Sequence, residues 1–159
     1  YSAVLSALGG SSSGSTGGIA SGTVYNLVNV ASGRSLDEPS GQTANGTSLQ
    51  IYDSWTGTNQ QWRASQNSDG TYTLTNVASG RVLDEPGSQT ANGTKIEVWD
   101  SNGGANQHWR ASKNGDGSYT LINVASGRAL ETPGGQTANG TAVEIWDSNG
   151  GANQHWNFK

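Results

Sequence analysis

Hydrophobic and polar positions alternate in short runs over residues 23–159, and this alternation predicts β-strands rather than helices. Leu49 and Ile51 lie on one face of such a run and Gln50 and Tyr52 on the other, because successive side chains of a strand point to opposite faces. Turns rich in Gly, Asn and Asp separate the runs. The pattern therefore predicts an all-β domain of short strands and many tight turns.

The same pattern occurs three times, at a spacing of 47 residues from Tyr25 to Tyr72 and from Tyr72 to Tyr119. The three predicted repeats span residues 23–69, 70–116 and 117–159. Each repeat is expected to form about four short strands and is too small to bury a core alone. Three repeats around a pseudo-threefold axis can pool their apolar side chains in one core.

Each repeat also contains an Asn-Gly dipeptide, which favours a type I′ turn because both central residues of that turn have positive φ. We therefore predict a tight hairpin at Asn45-Gly46, Asn92-Gly93 and Asn139-Gly140. The strand that follows each dipeptide carries the alternation and ends in Tyr-Asp or Trp-Asp.

The composition narrows the class of protein. Only 31% of the residues are hydrophobic and 24 are Gly, but six Trp, five Tyr and a net charge of −4 argue against a disordered chain. The eight Lys and Arg residues are scattered, which argues against nucleic-acid binding. No apolar run approaches the roughly 20 residues of a membrane span. The absence of Cys excludes disulfides and a Cys-based zinc site, and we expect no cofactor and no metal.

The residues before the repeats have a different composition. Residues 9–18 are Gly, Ser and Thr alone, which is typical of a flexible linker. We assign residues 9–22 to this linker. Residues 1–8 are short and mildly apolar, and we interpret them as the remnant of an upstream domain. The alternative is a remnant of an expression tag or a frayed terminus.

Four motifs recur in every repeat and together resemble the ricin-type β-trefoil. They are SGR-x-L followed by an acid, the Asn-Gly dipeptide, the strand ending in an aromatic residue and Asp, and Asn-Gln-x-Trp. More narrowly, they resemble the family 13 carbohydrate-binding modules that are attached to bacterial polysaccharide-degrading enzymes. The resemblance covers residues 23–159 and implies an all-β β-trefoil with three pseudo-threefold repeats.

Sugar binding requires an aromatic face for the C–H face of the sugar and polar groups for the hydroxyls at its edge. Each repeat supplies such a set of residues. The candidates are Asp37, Gln50, Tyr52, Asn59 and Gln60 in repeat 1, Asp84, Glu97, Trp99, Asn106 and Gln107 in repeat 2, and Glu131, Glu144, Trp146, Asn153 and Gln154 in repeat 3. We name these sets site 1, site 2 and site 3.

The residues of each set differ in the role expected of them. The aromatic residue lies on the polar face of its strand, which favours ligand stacking over core packing. The Trp of each Gln-x-Trp motif (Trp62, Trp109 and Trp156) resembles the core tryptophans of the family. The resemblance implies that the Asp accepts hydrogen bonds from two adjacent hydroxyls and that the Asn binds one of them. The Asn has a local turn role as its alternative, and the Gln either holds the acid or touches the sugar.

Several positions depart from the family. Glu131 replaces Asp in site 3, and its longer side chain is expected to displace the carboxylate by about 1 Å and weaken that site. Glu38 and Glu85 stand where the family has an aliphatic residue, and we interpret them as solvated loop charges. Trp55 has no aromatic counterpart in the other repeats, and it either widens the stacking surface of site 1 or caps its loop.

The family often has a disulfide in each repeat, and this chain has none. The resemblance places the missing bridges at Ser35 and Ser54, Val82 and Ser101, and Ala129 and Ser148. Each absent bridge forgoes roughly 3 kcal/mol for a loop of that length.

We therefore expect a non-catalytic carbohydrate-binding module from a larger, secreted, extracellular polysaccharide-degrading enzyme. Its expected partners are a polysaccharide or oligosaccharide containing galactose, xylose or arabinose, bound at up to three shallow sites, and an upstream catalytic domain. No nucleic-acid or membrane partner is expected, and the module is expected to be a monomer. A free-standing galactose-type lectin is the alternative. A glycoside hydrolase is disfavoured because Asp37 and Glu38 are neighbours that would point to opposite sides of a strand.

Overall fold

The computed structural model describes residues 18–39, 42–87, 89–134 and 136–159. In these residues the chain forms short strands, joined by turns and by three single-turn 3₁₀ segments. The strands are β1 (Val24–Tyr25), β2 (Leu27–Asn29), β3 (Ser35–Asp37), β4 (Gln50–Tyr52), β5 (Trp62–Gln66), β6 (Tyr72–Asn76), β7 (Val82–Asp84), β8 (Glu97–Trp99), β9 (Trp109–Lys113), β10 (Tyr119–Asn123), β11 (Ala129–Glu131), β12 (Glu144–Trp146) and β13 (Trp156–Phe158). The 3₁₀ segments are Thr58–Gln60, Ala105–Gln107 and Ala152–Gln154. The all-β prediction is confirmed.

Antiparallel strands form a closed barrel in the order β1, β5, β6, β9, β10, β13, β2. The ring closes because β1 and β2 are two halves of one strand. β1 pairs with β5 and β2 pairs with β13, and between them Asn26 and Lys159 exchange backbone hydrogen bonds of 2.8 and 2.9 Å. Counted as one strand, β1 and β2 give repeat 1 four strands, which is the number predicted for each repeat.

The remaining strands form one hairpin in each repeat. The hairpins are β3 with β4, β7 with β8, and β11 with β12. Single bridges join them to one another, from Ser48 to Glu97, from Lys95 to Glu144 and from Gln50 to Ala142. The three hairpins therefore form a closed triangle around the pseudo-threefold axis, and barrel and triangle together make a β-trefoil.

All three repeats contribute to one apolar core. The buried cluster contains from each repeat the Trp of Gln-x-Trp and the Leu that precedes the site acid. These tryptophans are fully buried, and each indole N–H donates to the carbonyl of that Leu. The pairs are Trp62 with Leu36 at 3.1 Å, Trp109 with Leu83 at 3.1 Å, and Trp156 with Leu130 at 3.0 Å. The structural role predicted for these tryptophans is confirmed.

The Asn-Gly dipeptide lies at a turn in the loop of the β3–β4 hairpin, as predicted, but that loop is longer than the two residues of a type I′ hairpin. Gly46 has a φ of 88°, and the turn is closed by a bond from Thr47 N to Ala44 O of 3.2 Å. The turn lies within residues 38–49, which connect β3 to β4, and is not itself the loop of a two-residue hairpin.

Contacts between repeats explain where this turn lies. Arg81 of the next repeat donates to Asn45 Oδ1 and to Thr43 O, both at 2.6 Å, and its Nε lies 3.3 Å from Asp100 Oδ1. Asn45 Nδ2 in turn donates to Asp100 Oδ2 at 3.0 Å. The same Arg–Asn–Asp contacts recur around the axis. They are made by Arg128, Asn92 and Asp147, and by Arg34, Asn139 and Asp53. The turn is thus fixed by the neighbouring repeat, where Val98 O of β8 also accepts from Gly46 N at 2.8 Å.

The predicted linker extends too far at its C-terminal end. Residues 19–22 lie against the barrel: Ile19 packs on the core, Gly22 N donates to Ala64 O at 2.6 Å, and Tyr72 Oη donates to Ile19 O at 3.1 Å. These contacts assign residues 19–22 to the folded domain. Residues 1–8 and 9–17 of the prediction lie outside the described residues.

Candidate functional site

Site 1 is built around the Asp37 carboxylate at the end of β3. Gln50 faces Asp37 from β4, because the two residues are paired across the hairpin. Gln50 Nε2 donates to Asp37 Oδ1 at 2.9 Å, while Gln60 Nε2 and Asn59 Nδ2 donate to Oδ2 at 2.9 and 3.2 Å. Three amides therefore hold the carboxylate. An ionised carboxylate accepts about four hydrogen bonds, so capacity remains for a ligand.

The Gln of each site is buried, and both ends of its side-chain amide are hydrogen-bonded within the protein. Gln60 Nε2 donates to both Asp37 and the carbonyl of Asp53, and its Oε1 accepts from Trp55 N at 2.9 Å. Gln107 and Gln154 make the equivalent contacts, and all three residues are at most 1% exposed. They therefore position the acid and have no surface for a sugar. The direct contact that the sequence left open for Gln60, Gln107 and Gln154 is not supported.

The Asn of each site links the acid to the loop beyond it. Asn59 lies in the 3₁₀ segment, and its Nδ2 divides its hydrogens between Asp37 Oδ2 and the carbonyl of Glu38 at 2.8 Å. Asn106 and Asn153 make the same pair of contacts. The side-chain oxygen of Asn59 accepts no hydrogen bond from the described residues, so it can accept one from a hydroxyl.

Each site has an exposed aromatic ring two positions after the residue that is paired with the site acid across the hairpin. Tyr52, Trp99 and Trp146 are 45%, 41% and 42% exposed, although large aromatic side chains are usually buried. Ile51, Val98 and Ile145, one position earlier, are fully buried, so the strand phase read from the sequence is confirmed. Site 1 forms a cavity of about 410 Å³ lined by Asp37, Gln50, Tyr52, Asp53, Ser54, Trp55 and Asn59.

Site 1 pairs a carboxylate with an amide, whereas sites 2 and 3 each pair two carboxyl groups. The facing pairs are Asp37 with Gln50, Asp84 with Glu97, and Glu131 with Glu144. Burial, a hydrogen bond to Asp84 and the Asp84 charge raise the pKa of Glu97 to about 7. Below that pH Glu97 holds a proton and donates it to Asp84, as the Gln50 amide does to Asp37.

In site 3 the acid itself holds the proton. Burial, a hydrogen bond to Glu144 and the Glu144 charge raise the pKa of Glu131 to about 7, and the Gln154 and Asn153 amides oppose this only in part. Lys95 Nζ lies 3.0 Å from Glu144 Oε1, a contact between repeats for which the sequence gives no signal. A protonated Glu131 is a weaker acceptor than an ionised Asp.

The hydrogen bond from Gln154 to the site 3 acid keeps its length despite the longer Glu131 side chain. Gln154 Nε2 donates to Glu131 Oε1 at 2.9 Å, which equals the distance from Gln60 Nε2 to Asp37 Oδ2 in site 1. The side chain therefore accommodates the extra methylene. The lower affinity of site 3 stays a prediction, now with the protonation of Glu131 as its reason.

The interpretation of Glu38 and Glu85 as solvated charges is wrong. They are 1% and 0% exposed, and burial raises the pKa of both. Each carboxyl lies near a Ser and an Arg of the next repeat. These are Ser79 and Arg81 for Glu38 and Ser126 and Arg128 for Glu85. The side chains fill the junction between repeats, which the sequence position alone does not reveal.

The described residues contain no cluster of three or more His, Asp or Glu side chains able to hold a metal ion. None of their helices is long and apolar enough to cross a membrane.

A family model for ricin-type beta-trefoil lectin domain-like proteins matches residues 15–99 and 105–159. The chain belongs to this family. The finer resemblance to family 13 carbohydrate-binding modules is consistent with the match. In this chain the candidate site lies on the hairpin of each repeat, and the pseudo-threefold axis generates three copies of it.

Three solved structures illustrate the likeness. A designed threefold-symmetric protein, ThreeFoil, is 36% identical with a TM-score of 0.83, over 85% of this chain and 96% of that one. An exo-beta-1,3-galactanase from Clostridium thermocellum is 33% identical with a TM-score of 0.82, over 86% of this chain but only 30% of the galactanase chain. The Macrolepiota procera ricin B-like lectin, solved with lactose, is 26% identical with a TM-score of 0.77, over 89% and 98% of the two chains.

The carboxyl pairs of this lectin-like domain predict a pH-dependent stability. We expect the free energy of unfolding to fall as the pH rises from about 4.5 to about 7. In that window the unfolded chain releases the protons of Glu97 and Glu131 while the folded protein retains them, so a rising pH favours unfolding. Glu97→Gln should remove the part of this fall in the free energy of unfolding that Glu97 causes, on the order of 1 kcal/mol after solvent screening. Denaturant titrations across this pH window measure it.

Site 1 supplies the matched control for this prediction. Gln50→Glu places a second carboxyl opposite Asp37 and should steepen the decline, since it copies the arrangement of site 2. Equal pH slopes in the wild-type protein and both variants would show that the facing residue does not hold the proton.

Proposed function

We propose that this chain is a non-catalytic carbohydrate-binding module that holds an appended enzyme on plant-type polysaccharide containing galactose, xylose or arabinose. Membership in a lectin-like family supports carbohydrate binding. The observation that carries the proposal is the threefold recurrence of an exposed aromatic ring beside an acid held by amides.

The geometry matches the two faces of a sugar ring. The exposed face of Tyr52, Trp99 or Trp146 can stack on the apolar C–H face. The acid at the floor of the site can accept from a hydroxyl, and a charged acceptor strengthens that bond. Asp37 and Asp84 are 3% and 2% exposed, so each presents only a narrow opening to its ligand.

Three sites on one domain favour a polymer as ligand. An open site with a single ring is expected to bind weakly, but a second site on the same polysaccharide acts at high effective concentration. Avidity of this kind suits a module that must stay on a polymer. We propose that the domain does so as a secreted monomer, with the catalytic domain upstream in the same chain.

The structural neighbours support both the proposal and one alternative. This chain matches only 30% of the galactanase from Clostridium thermocellum, whereas it matches 98% of the Macrolepiota procera lectin. The fold therefore occurs both beside an enzyme and by itself. A free-standing galactose-type lectin is the alternative, and agglutination of erythrocytes by residues 18–159 would favour it.

A hydrolase is not proposed, because the acid of site 1 faces an amide and the two carboxyl groups of sites 2 and 3 are paired with each other. Asp84 and Glu97 share a hydrogen bond, whereas the acids of a glycosidase are separated by about 5 Å or more to flank the scissile bond. Release of sugar from xylan, arabinan or galactan by this domain alone would overturn the non-catalytic assignment.

Removal of the exposed rings tests the proposal. We expect Tyr52→Ala, Trp99→Ala and Trp146→Ala each to weaken retardation in affinity gels containing the preferred polysaccharide, and the triple variant to lose it. Each ring contributes on the order of 1 kcal/mol of stacking, which corresponds to several-fold in affinity. The gels should contain xylan, arabinan and galactan in turn, so that the same experiment identifies the polymer.

Val77→Ala is the control for this series. Val77 is 37% exposed and lies outside the three sites, so its removal should not change migration. Unchanged retardation of the triple variant would show that the sites are elsewhere. Failure of the wild-type protein to bind any carbohydrate on a glycan array would refute the proposed function.

A further inference from the structure

One aromatic residue of site 1 has no equivalent in the other sites. Trp55 is 55% exposed, more than Tyr52, Trp99 or Trp146. Its counterparts are Asn102 and Asn149, which follow the same Asp-Ser dipeptide in repeats 2 and 3. The repeats therefore share a loop position but differ in what that position presents to solvent.

The backbone at this position is the same in repeats 1 and 2. Trp55 N donates to Gln60 Oε1 at 2.9 Å, and Asn102 N donates to Gln107 Oε1 at 2.8 Å. The side chain of Asn102 bonds within its own loop, where its Oδ1 accepts from Gly104 N at 2.8 Å. Asn102 is thus a loop residue, whereas Trp55 makes no such bond.

The Trp55 indole is instead packed on Gly57. A Cβ placed on Gly57 would overlap the six-membered ring of the indole, so only glycine permits this position. One face of the ring therefore lies against the backbone of its own loop, while more than half of the side chain is in solvent. A ring fixed in this way costs little entropy when a ligand stacks on it.

Trp55 also lines the site 1 cavity together with Tyr52 and Asp37. If Trp55 served only to cover its own loop, contact with Gly57 would be enough, and the ring would not need to line the same cavity as the site acid. We propose that Trp55 forms a second subsite of site 1, which takes a sugar residue glycosidically linked to the one on Tyr52. The proposal rests on the proposed function and makes site 1 specific for at least a disaccharide.

Sites 2 and 3 have no second ring at this position, so they bind one sugar unit each. The domain therefore has two classes of site. Site 1 recognises a stretch of chain, and the other two add avidity through single units of the polymer or its branches.

A variant with site 1 alone tests this inference. In the background Trp99→Ala and Trp146→Ala, calorimetric titrations should compare galactose, xylose and arabinose with their disaccharides. We expect the disaccharide of the preferred sugar to bind about fivefold more tightly than the monosaccharide, which corresponds to about 1 kcal/mol for one stacked ring. Trp55→Asn, which copies repeats 2 and 3, should reduce that ratio to near one.

Val77→Asn is the matched control, because it also replaces an exposed apolar side chain by Asn, and it should keep the ratio. A ratio unchanged by Trp55→Asn, with the fold intact by thermal unfolding, would overturn the subsite and leave the proposed function standing. No binding of any of these saccharides in the site 1 background, nor of any polysaccharide by the wild-type protein, would overturn both.

Discussion

Trp109→Ala is expected to lower the free energy of unfolding by about 3–5 kcal/mol, the usual cost of removing a buried Trp. Trp109 is fully buried in the common core, and its indole N–H satisfies the carbonyl of Leu83 inside the protein. The substitution leaves both a cavity and an unpaired carbonyl. Domains of this size are stable by about 5–15 kcal/mol, so the variant should unfold well below the wild-type denaturation midpoint.

The chain provides its own control for this substitution. Trp99→Ala removes the same residue type from the same repeat, but Trp99 is 41% exposed. We expect its free energy of unfolding to change by no more than about 0.5 kcal/mol, while sugar binding weakens. Circular dichroism in guanidinium chloride measures both variants. Equal destabilisation would contradict the division of the tryptophans into core and site residues.

The double variant Ser35→Cys, Ser54→Cys is expected to form a disulfide and to gain about 3 kcal/mol of stability. The two hydroxyl oxygens lie 2.5 Å apart in a hydrogen bond, where the family resemblance places a bridge. Two side chains this close need little backbone movement to form the bond. The bridge would close residues 35–54 and reduce the entropy of the unfolded chain.

Comparison with and without reductant isolates the effect of the bridge. The oxidised variant should unfold at a higher denaturant concentration than the reduced one, and the reduced one should behave like the wild-type protein. Each single Cys variant should be insensitive to reductant. Equal midpoints for the oxidised and reduced double variant, with the bridge shown by mass spectrometry, would contradict the prediction.

Much of the fold was predictable because it depends on local pattern. Strand alternation separates Ile51 from Tyr52 whatever the tertiary context, since a strand has only two faces. The recurrence of Gln-x-Trp implied three equivalent environments, and burial of all three tryptophans follows from a shared core. Residues paired across one hairpin, such as Asp37 and Gln50, were likewise within reach of sequence reasoning.

The errors occur where one repeat meets the next. Glu38 follows a solvent-facing site in sequence, yet it is buried against residues near position 80. The Asn45-Gly46 dipeptide has the composition of a hairpin turn, yet Arg81 and Asp100 of repeat 2 determine its place. Neither partner is visible from local spacing.

The sequence by itself determined the repeat, the strand phase, the core tryptophans and the candidate residues of the three sites, because each depends on side-chain type at short range. Tertiary structure alone decided their chemical states. It placed Glu97 against Asp84 in a partly buried site, so that the pair retains a proton to about pH 7. It also laid Trp55 over Gly57 beside site 1. The physical reason is that protonation and ring placement depend on burial and on neighbours distant in sequence.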